Sequence, residues 1–549
     1  MMPENNCNFG AEMKPKSLLL AFFPAAFAML LVYSCATVEK PGGGPRDFKA
    51  PTMVASSPAD SSTQFQSQKI VIEFDEFVKL NNPASQVIVN PFPINKPDIS
   101  VQGHKVKITL NDSLASNTTY HIFFGDAVQD ITEGNKASGL NYVFSTGNYL
   151  DSCSAEGFIG DAFTNIASEK AWVLLYQKIS DFTDTIPLYI AHSNNNGSFK
   201  FRNVAPGHYY ICAIEDNNSN FRFDLPDEKI AFRAEPIVLS AENPSIDSLK
   251  LYLFVEKAKE QKHLKTEISG YQTVRSSFRL SMNNPEITLL SSAEKILYSW
   301  NKTIDTLTFW VKSPIDDTLK YIIRDGIFAD TLSQNLKAKA RIKTVTDTTF
   351  KLRSSVHGGI LPVTEAFEIS AIMPFEAPDT SNIIFCKNTD TIVSAWQKAD
   401  SLGCYWKILA EFEPGDDCSI TFKKGAVHNF FGFNNDSITI KFKVAGPEDL
   451  GSMHFTFTNR PNSKLILIAE SKAMSRKIEI GIDSTEIVLE NLIPGDYSVK
   501  IISDIDEDKD WTTGNFSELR QPEVVFTLAR PIQVKKGWES KIGWSLKRE

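Results

Sequence analysis

The sequence has few of the residue patterns that carry chemistry. Its seven cysteines include no C-x-x-C pair, which leaves a zinc or redox motif without support. Its eight histidines show no H-x-H, H-x-x-x-H or H-E-x-x-H spacing, and the G-x-S-x-G and P-loop patterns are absent too. These absences favour a protein that is not an enzyme.

Positive charge and helical periodicity are also scarce. The net charge is −9, and no basic stripe runs along the 549-residue chain, so we expect no nucleic-acid partner. Long apolar repeats at 3.6-residue spacing are not evident, which argues against a helical fold. The hydrophobic fraction of 42% is nevertheless enough for several packed cores.

The N-terminus does carry an export signal. Lys14 and Lys16 precede the apolar run SLLLAFFPAAFAMLLV at residues 17–32. A basic segment, an apolar segment and a small residue at the cut site form a secretory signal. The run is about 16 residues long, short of the roughly 20 that a membrane-spanning helix needs. We predict a signal peptide over residues 1–34, with Met13 as the start of translation.

The end of that run, Val32-Tyr33-Ser34-Cys35, resembles the lipobox of bacterial lipoproteins. In that family the signal is cut before the cysteine, which then carries a diacylglyceryl thioether and an acylated N-terminus. Several acyl chains anchor a protein stably where one chain binds only marginally. The resemblance implies lipidation of Cys35, and the alternative is an uncleaved N-terminal helix. Residues 35–47 contain GGGP and are predicted to be a flexible tether.

Beyond residue 48 the chain alternates apolar and polar residues at period two, as in IVIEF (70–74) and VKITL (106–110). Turn signals such as Asn196-Gly197 and Pro494-Gly495 separate these runs. Short strands at regular spacing predict an all-β chain of β-sandwiches in series.

Two internal repeats support a chain of related domains. NVAPGHY (203–209) matches NLIPGDY (491–497), and an acidic loop follows each copy 13 residues after its asparagine. A weaker repeat pairs residues 119–130 with residues 418–429, where a strand enters a turn at Ala-Val.

Two of these regions resemble known domain families. Pro51, IVIEFDEFV (70–78), NTTYHIFFGDAVQD (117–130) and YVFSTG (142–147) resemble the Ig-like domain first described in a bacterial S-layer protein. GFIGDA (157–162) and NGSFKFRNVAPGHYYICAI (196–214) resemble a prealbumin-like domain of the carboxypeptidase-regulatory or collagen-adhesin B type. The order of segments along the chain, from the lipobox and the tether through these two domains to the C-terminal PGDY copy, resembles a class of Bacteroidota Ig-like lipoproteins. That class implies an envelope location and a non-catalytic role.

The resulting prediction is five units behind the tether. In chain order they are an Ig-like domain at 48–147, a prealbumin-like domain at 148–255, a β-rich segment at 256–350, a second Ig-like domain at 351–447 and a second prealbumin-like domain at 448–549.

The acidic loops are the sharpest candidates for a binding site. Asp504, Asp506 and Asp508 place oxygen ligands at loop positions 1, 3 and 5, the arrangement that Ca²⁺ uses in tight loops. The weaker copy offers Asp216, Asn218 and Asn220 at the same three positions. Neither loop has the glycine and the final glutamate of an EF-hand. A polar hairpin loop with Asx turns is the alternative.

Trp511 and Phe221 follow the two acidic loops directly. Each could stack on a glycan or cap the core of its sandwich, and we favour the core, because an aromatic side chain buries a large apolar area.

The function predicted from these features is non-catalytic. Lipid would anchor the chain at the outer membrane, facing either the periplasm or the cell surface, and serial sandwiches would provide reach toward envelope proteins or glycans. One alternative is an array of carbohydrate-binding modules, which predicts exposed aromatics in a row on one sheet face. Another is an enzyme with an unrecognised pocket in residues 256–450.

The lipid anchor gives the first testable prediction. Wild-type protein should stay in the membrane fraction after an alkaline carbonate wash, whereas Cys35→Ala should be released, because it lacks the acyl chains. Cys7→Ala, which lies upstream of the predicted start at Met13, is the matched control and should behave as wild type. A Cys35→Ala protein bound as firmly as wild type would contradict lipidation.

Overall fold

The computed structural model describes residues 47–315, 317–336 and 350–547. The predicted signal peptide and Cys35 lie outside these residues. Strands account for 50% of the structure and helices for 3%, which makes the chain all-β as predicted. No helix in the described ranges has the length and apolarity needed to cross a bilayer.

The first unit (residues 47–147) is a sandwich of a four-stranded and a three-stranded sheet, with a two-stranded ribbon at its side. Alternation sets its core, since Val106 and Ile108 are fully buried while Lys107 between them is exposed. Its elements are β1 (Met53–Ser57), β2 (Lys69–Phe74), β3 (Val78–Leu80), α1 (Pro83–Gln86), β4 (Ile88–Asn90), β5 (Asp98–Gln102), β6 (Lys105–Thr109), β7 (Thr119–Phe123), β8 (Val128–Asp130) and β9 (Asn141–Ser145).

The second unit (residues 148–255) is built on one eight-stranded sheet that folds over a core of its own. Its elements are β10 (Cys153–Asp161), β11 (Trp172–Tyr176), α2 (Asp181–Asp184), β12 (Tyr189–His192), β13 (Ser198–Val204), β14 (Gly207–Glu215), β15 (Lys229–Phe232), β16 (Ile237–Leu239) and β17 (Ser245–Val255).

The third unit (residues 256–336) pairs a four-stranded with a three-stranded sheet around a separate apolar core. Its strands are β18 (His263–Gly270), β19 (Thr273–Phe278), β20 (Glu286–Leu289), β21 (Ala293–Trp300), β22 (Thr306–Pro314), β23 (Thr318–Asp325) and β24 (Phe328–Asn335).

The fourth unit (residues 350–447) packs a four-stranded against a five-stranded sheet. Its strands are β25 (Arg353–Ser354), β26 (Ile360–Pro362), β27 (Glu368–Ser370), β28 (Ile383–Lys387), β29 (Asp390–Ile392), β30 (Trp396–Lys398), β31 (Tyr405–Ile408), β32 (Asp417–Phe422) and β33 (Ile438–Ala445), with 3₁₀ turns at Thr380–Asn382 and Pro447–Asp449.

The fifth unit (residues 448–547) has a three-stranded and a five-stranded sheet. Its strands are β34 (Gly451–Thr458), β35 (Lys464–Glu470), β36 (Ser475–Ile480), β37 (Glu486–Leu492), β38 (Gly495–Asp504), β39 (Val525–Thr527), β40 (Ile532–Val534) and β41 (Glu539–Ser545).

The second and fifth units share one topology. β10 pairs antiparallel with β13 and parallel with β17, just as β34 pairs antiparallel with β37 and parallel with β41. The strand after each Pro-Gly turn pairs with three neighbours. In the second unit β14 pairs with β11, β15 and β16. In the fifth unit β38 pairs with β35, β39 and β40. The stronger sequence repeat is therefore a repeat of structure.

That repeat has a physical basis in its asparagine and its tyrosine. Asn203 and Asn491 both have left-handed backbones, with φ of 54° and 58°, which asparagine tolerates better than most residues. The hydroxyl of Tyr209 donates to the carbonyl four residues upstream at 2.9 Å, and Tyr497 does the same at 2.8 Å. Each tyrosine thus ties the Pro-Gly turn to the strand that follows it.

The weaker repeat also folds alike in its two copies. The backbone N–H groups of Ala127 and Ala426 donate to the carbonyl three residues upstream, at 2.9 and 3.0 Å. Asp130 and Asn429, at matching positions, are buried and accept backbone N–H groups from the loop that follows. A buried side-chain oxygen therefore organises the same loop in the first and fourth units.

The five cysteines in the described ranges form no disulfide. Cys153, Cys212, Cys404 and Cys418 are buried, and Cys386 is partly exposed. Burial raises the pKa of Cys404 to about 12 and that of Cys418 to about 11. These thiols therefore stay protonated and pack as small hydrophobic side chains.

The second unit has a second apolar face, outside its own core. Along WVLLY of β11, Val173 and Leu175 face the inner core, while Leu174 and Tyr176 face outward and are equally buried. Because both faces of this strand are apolar, the outer face must be covered by other parts of the chain.

The first unit covers one side of this outer face. Ile88 and the half-buried Phe92 pack into it. The buried side chain of Asn90 extends the pairing, since its amide donates to the carbonyl of Ile190 at 2.9 Å and its oxygen accepts the Ile190 N–H at 2.8 Å. The backbone N–H of Phe92 also donates to Leu188 at 2.6 Å. The two units are thereby joined by strand-like hydrogen bonds.

The fifth unit covers the other side, although it is some 300 residues away in sequence. The loop after β38 inserts Phe516, whose ring lies 5.4 Å from Phe182 and 5.3 Å from Phe232. Asn165 donates to the carbonyl of Val525 at 2.8 Å. The sandwiches follow one another in sequence as predicted, but the chain folds back so that its last unit packs on its second.

Gly514 belongs to this loop, residues 505–524, which we call the docking loop, and it faces the second unit. A Cβ atom there would lie 2.5 Å from the ring of Phe254, too close without a shift of the loop. Gly514→Ala should therefore lower the free energy of unfolding by about 1–3 kcal/mol, the usual cost of overpacking. Chemical denaturation followed by tryptophan fluorescence measures the change.

The matched control is Gly543→Ala in β41, where nothing lies within 4 Å of the added Cβ. That variant should be neutral to within about 0.5 kcal/mol. Equal stabilities for the two variants would show that the loop does not press on the second unit as described.

Candidate functional site

The acidic loop of the fifth unit begins where β38 ends. Asp504 is the last residue of the strand and is only 2% exposed. One of its carboxylate oxygens, Oδ2, accepts the backbone N–H of Lys509 at a long 3.3 Å. The other, Oδ1, is buried and has no hydrogen-bond partner among the described residues. An unpartnered buried carboxylate oxygen is costly unless something else compensates it.

A second buried carboxylate, Glu523, faces Asp504 from the far end of the loop. It is 4% exposed and accepts the N–H of Ile505 at 2.5 Å and the N–H of Thr512 at 3.0 Å. The indole N–H of Trp511 donates to the backbone carbonyl of Glu523 at 3.0 Å. Glu523 thus closes the loop on itself, and it is absent from the ligand set predicted from sequence.

Three carboxylates converge in this loop. Asp504, Asp506 and Glu523 each offer an oxygen, and these oxygens all lie within 4.8 Å of one another. Asp508, which the sequence placed in the site, is not among the three. Its carboxylate accepts the hydroxyl of Thr512 at 3.2 Å, and the same hydroxyl donates to Asp506 at 2.7 Å. The structure therefore brings together two of the three predicted residues, Asp504 and Asp506, and adds Glu523 to them.

Among the described residues, the neighbouring lysines form no ion pair with this cluster, although the charge of Lys464 also acts on Asp504. The lysines around the loop pair elsewhere, Lys464 with Glu507, Lys509 with Glu479 and Lys477 with Asp510. Of the ion pairs within the described ranges, none reaches the three converging carboxylates. At an effective dielectric constant of about 20, two charges at this separation repel by about 3–4 kcal/mol.

The pKa values of the two buried carboxyl groups, Asp504 and Glu523, shift in the direction that burial predicts. Burial raises the pKa of Asp504, and the nearby charges of Asp508 and Asp506 add to that effect. Burial likewise raises the pKa of Glu523, against hydrogen bonds from Thr512 and Ile505 that lower it. Both buried carboxyl groups therefore hold their protons more strongly than exposed ones do.

The corresponding loop of the second unit is arranged differently. Asp216 accepts four backbone N–H groups, the shortest from Ser219 at 2.6 Å and from Phe221 at 2.8 Å. The side-chain amides of Asn218 and Asn220 donate to Asp224 at 3.0 and 2.6 Å. This loop satisfies its carboxylates with its own backbone N–H groups and amides, in the manner of Asx turns.

Glu228 is the counterpart of Glu523 in this loop. It is fully buried and accepts N–H groups from Asn217, Asp224 and Leu225. Both glutamates stand one or two residues before the next strand, β15 or β39. A comparison of the two repeats extended to that strand could have found them.

The aromatic residues after the acidic loops pack inward. Phe221 contacts Phe92 and Trp172 with ring centroids 5.0 and 5.1 Å apart. Trp511 lies 5.2 Å from Phe163 of the second unit. Both join the apolar cluster on the outer face of the second unit, as the core interpretation expects.

The row of aromatics that a carbohydrate-binding array requires is not found on any described strand. Among the described residues, six aromatic side chains are exposed, and each lies in a different strand or loop: Phe48, Phe77, Tyr149, Tyr298, Tyr405 and Trp538.

An open groove of about 620 Å³ lies between the first and second units. Asn90, His121 and Asn141 line one wall, and His192 and Arg202 line the other. The enzyme alternative placed its pocket in residues 256–450, whereas this groove is built from residues 88–250.

A comparison with a family profile identifies the first unit. Residues 47–146 match the family described as Bacterial Ig-like domain. The first unit thus carries a bacterial Ig-like domain. No curated protein matches the sequence.

Solved structures resemble the chain at low identity. The S-layer protein rSbsC(31-844) is 10% identical, with 88% of this chain and 67% of that chain covered and a TM-score of 0.15. BcpA, the major pilin subunit of Bacillus cereus, is 9% identical over 72% of this chain and 99% of that one, with a TM-score of 0.13.

The glucan-utilisation protein SGBP-B of Bacteroides ovatus, solved with a mixed-linkage heptasaccharide, is 10% identical over 70% of this chain and 94% of that one, with a TM-score of 0.17. TM-scores of this size do not identify a shared overall arrangement.

The groove gives a prediction about pH. Burial lowers the pKa of His121 and of His192 below the ordinary value of 6.5. Below pH 6.5 the unfolded chain therefore binds more protons than the folded one, and stability falls as the pH drops. Each histidine contributes at most about 1.4 kcal/mol per pH unit.

We expect His121→Gln to weaken this acid sensitivity, measured as the difference in Tm between pH 7.5 and pH 5.5. His208→Gln, at an exposed position in β14, is the control and should keep the wild-type difference. An unchanged difference in the His121 variant would exclude that histidine as a source of the acid effect.

Proposed function

We propose that this protein is a non-catalytic, lipid-anchored component of the bacterial cell envelope that presents rigid β-sandwich units for structural or adhesive contacts. The observation that carries the proposal is the bacterial Ig-like domain at residues 47–146, directly behind the predicted lipidated Cys35 and its tether. Ig-like sandwiches are scaffolds that present surfaces, and their function resides in sites added to them.

The packing of the units supports rigidity. The outer face of the second unit is a single apolar cluster that takes side chains from the first, second and fifth units. A further contact joins the fourth and fifth units through Ala445, Leu450 and Ile493, flanked by the ion pair of Arg476 with Glu365 at 3.2 Å. Buried apolar interfaces of this kind resist relative motion of the units.

The geometry therefore favours a compact platform held at the end of a flexible tether. Such a body would keep the groove and the exposed loops at fixed relative positions. A partner that contacts two units at once could then bind without ordering them first, which lowers the entropic cost of association.

The experiment is protease treatment of whole cells that produce the protein, followed by immunoblotting. Loss of the protein from intact cells would indicate surface display and an adhesive role. Protection until the outer membrane is breached would indicate a periplasmic, structural role. Cys35→Ala protein recovered in the membrane fraction in equal amount would contradict the anchored-platform proposal.

A further inference from the structure

We propose that Asp504, Asp506 and Glu523 form a binding site for a hard divalent cation of the Ca²⁺ class, and that the bound cation fixes the loop that docks the fifth unit on the second. The inference goes beyond the envelope function proposed above and does not depend on it. Failure of lipid anchoring would leave it intact.

The first step of the argument is the unpartnered oxygen. Asp504 is only 2% exposed, and its Oδ1 has no hydrogen-bond partner among the described residues. The carboxylate that carries it belongs to a cluster with oxygens within 4.8 Å of one another. Buried charges in proteins are paired with opposite charge or coordinate metals, and the surrounding lysines are paired elsewhere.

The second step is the comparison of the two loops. Asp216 and Glu228 of the second unit lie at the equivalent places, and their oxygens accept backbone N–H groups throughout. The loop of the fifth unit has left one oxygen of Asp504 without such a donor. The same scaffold thus carries a loop with satisfied carboxylates in one copy and a carboxylate cluster with an unpartnered oxygen in the other.

The third step concerns the kind of cation. All three side chains offer carboxylate oxygens, which suit Ca²⁺, Mg²⁺ and Mn²⁺ rather than softer metals. Ca²⁺ takes six to eight oxygen ligands in flexible geometry, so carbonyls and water can complete the shell around three carboxylates. Asp506 is exposed, which gives the cation a path from solvent.

The fourth step connects the site to the interface. The segment between Asp506 and Glu523 carries apolar contacts with the second unit, including Trp511 against Phe163 and Phe516 in the outer cluster of the second unit. A cation bound to both ends of this segment would hold it closed. The site therefore couples ion binding to the packing of two distant units.

The first experiment uses wild-type protein and no variant. Purified protein is stripped with EDTA, and CaCl₂ is added back during calorimetric titration and thermal unfolding. We expect binding of Ca²⁺, a higher Tm with the ion present, and slower tryptic cleavage after Arg520 within the loop. Absence of binding, with Tm and cleavage unaffected by EDTA, would overturn the proposal.

Three variants then locate the site. Asp504→Asn and Glu523→Gln should weaken Ca²⁺ binding by about ten-fold or more, because each removes a charged ligand. Asp510→Asn, in the same loop but outside the cluster, should stay within about two-fold of wild type. Tb³⁺ luminescence excited through tryptophan gives an independent readout, since Trp511 adjoins the site, and it should fall in the first two variants alone.

A fourth variant, Asp508→Asn, tests whether the third ligand is Glu523, as the structure indicates, or Asp508, as the sequence pattern predicts. If Asp508→Asn abolishes binding while Glu523→Gln keeps it, the ligands are the alternate aspartates and the assignment of Glu523 is wrong. If both cluster variants bind Ca²⁺ as wild type does, the ion sits elsewhere and the proposal fails. Circular dichroism of each variant confirms that loss of binding does not reflect loss of fold.

Discussion

The apolar outer face of the second unit is the constraint on which the rest of the arrangement depends. Its strands are apolar on both sides, so one side makes the internal core and the other must be kept from water by neighbours. Each large side chain buried there contributes about 1.5–3 kcal/mol. The first unit covers part of this face and the fifth covers the rest, which brings the last hundred residues back onto the second domain.

The two acidic loops show how one scaffold can hold a carboxylate in two ways. In the second unit the loop backbone turns enough N–H groups toward Asp216 to satisfy it. In the fifth unit the longer excursion to Glu523 carries Trp511 and Phe516 outward to the interface instead. This loop, which reaches the second unit, directs fewer of its backbone N–H groups toward Asp504 than the other loop directs toward Asp216. One oxygen of Asp504 is therefore left without a hydrogen-bond donor.

Prediction of the site from sequence was limited by distance along the chain. Asp504 and Asp506 could be found because alternate acidic residues in a short loop are a local pattern. Glu523 could not be found in the same way, because it lies at the far end of the loop and reaches the cluster only when β39 pairs with β38. Asp508 fitted the pattern but points its carboxylate at Thr512 and the N–H of Asp510.

The resemblance of one region to a known family located the first Ig-like domain. By itself the sequence determined the all-β fold, the strand alternation and the Pro-Gly-x-Tyr repeat. These follow from local rules, because period-two patterns and turn residues act within a few positions of one another. Tertiary structure alone decided which surface covers the second unit and which carboxylates meet. An uninterrupted apolar strand such as WVLLY predicts that both its faces will be buried. Which segment covers the outer face depends on contacts between residues that lie hundreds of positions apart in the chain.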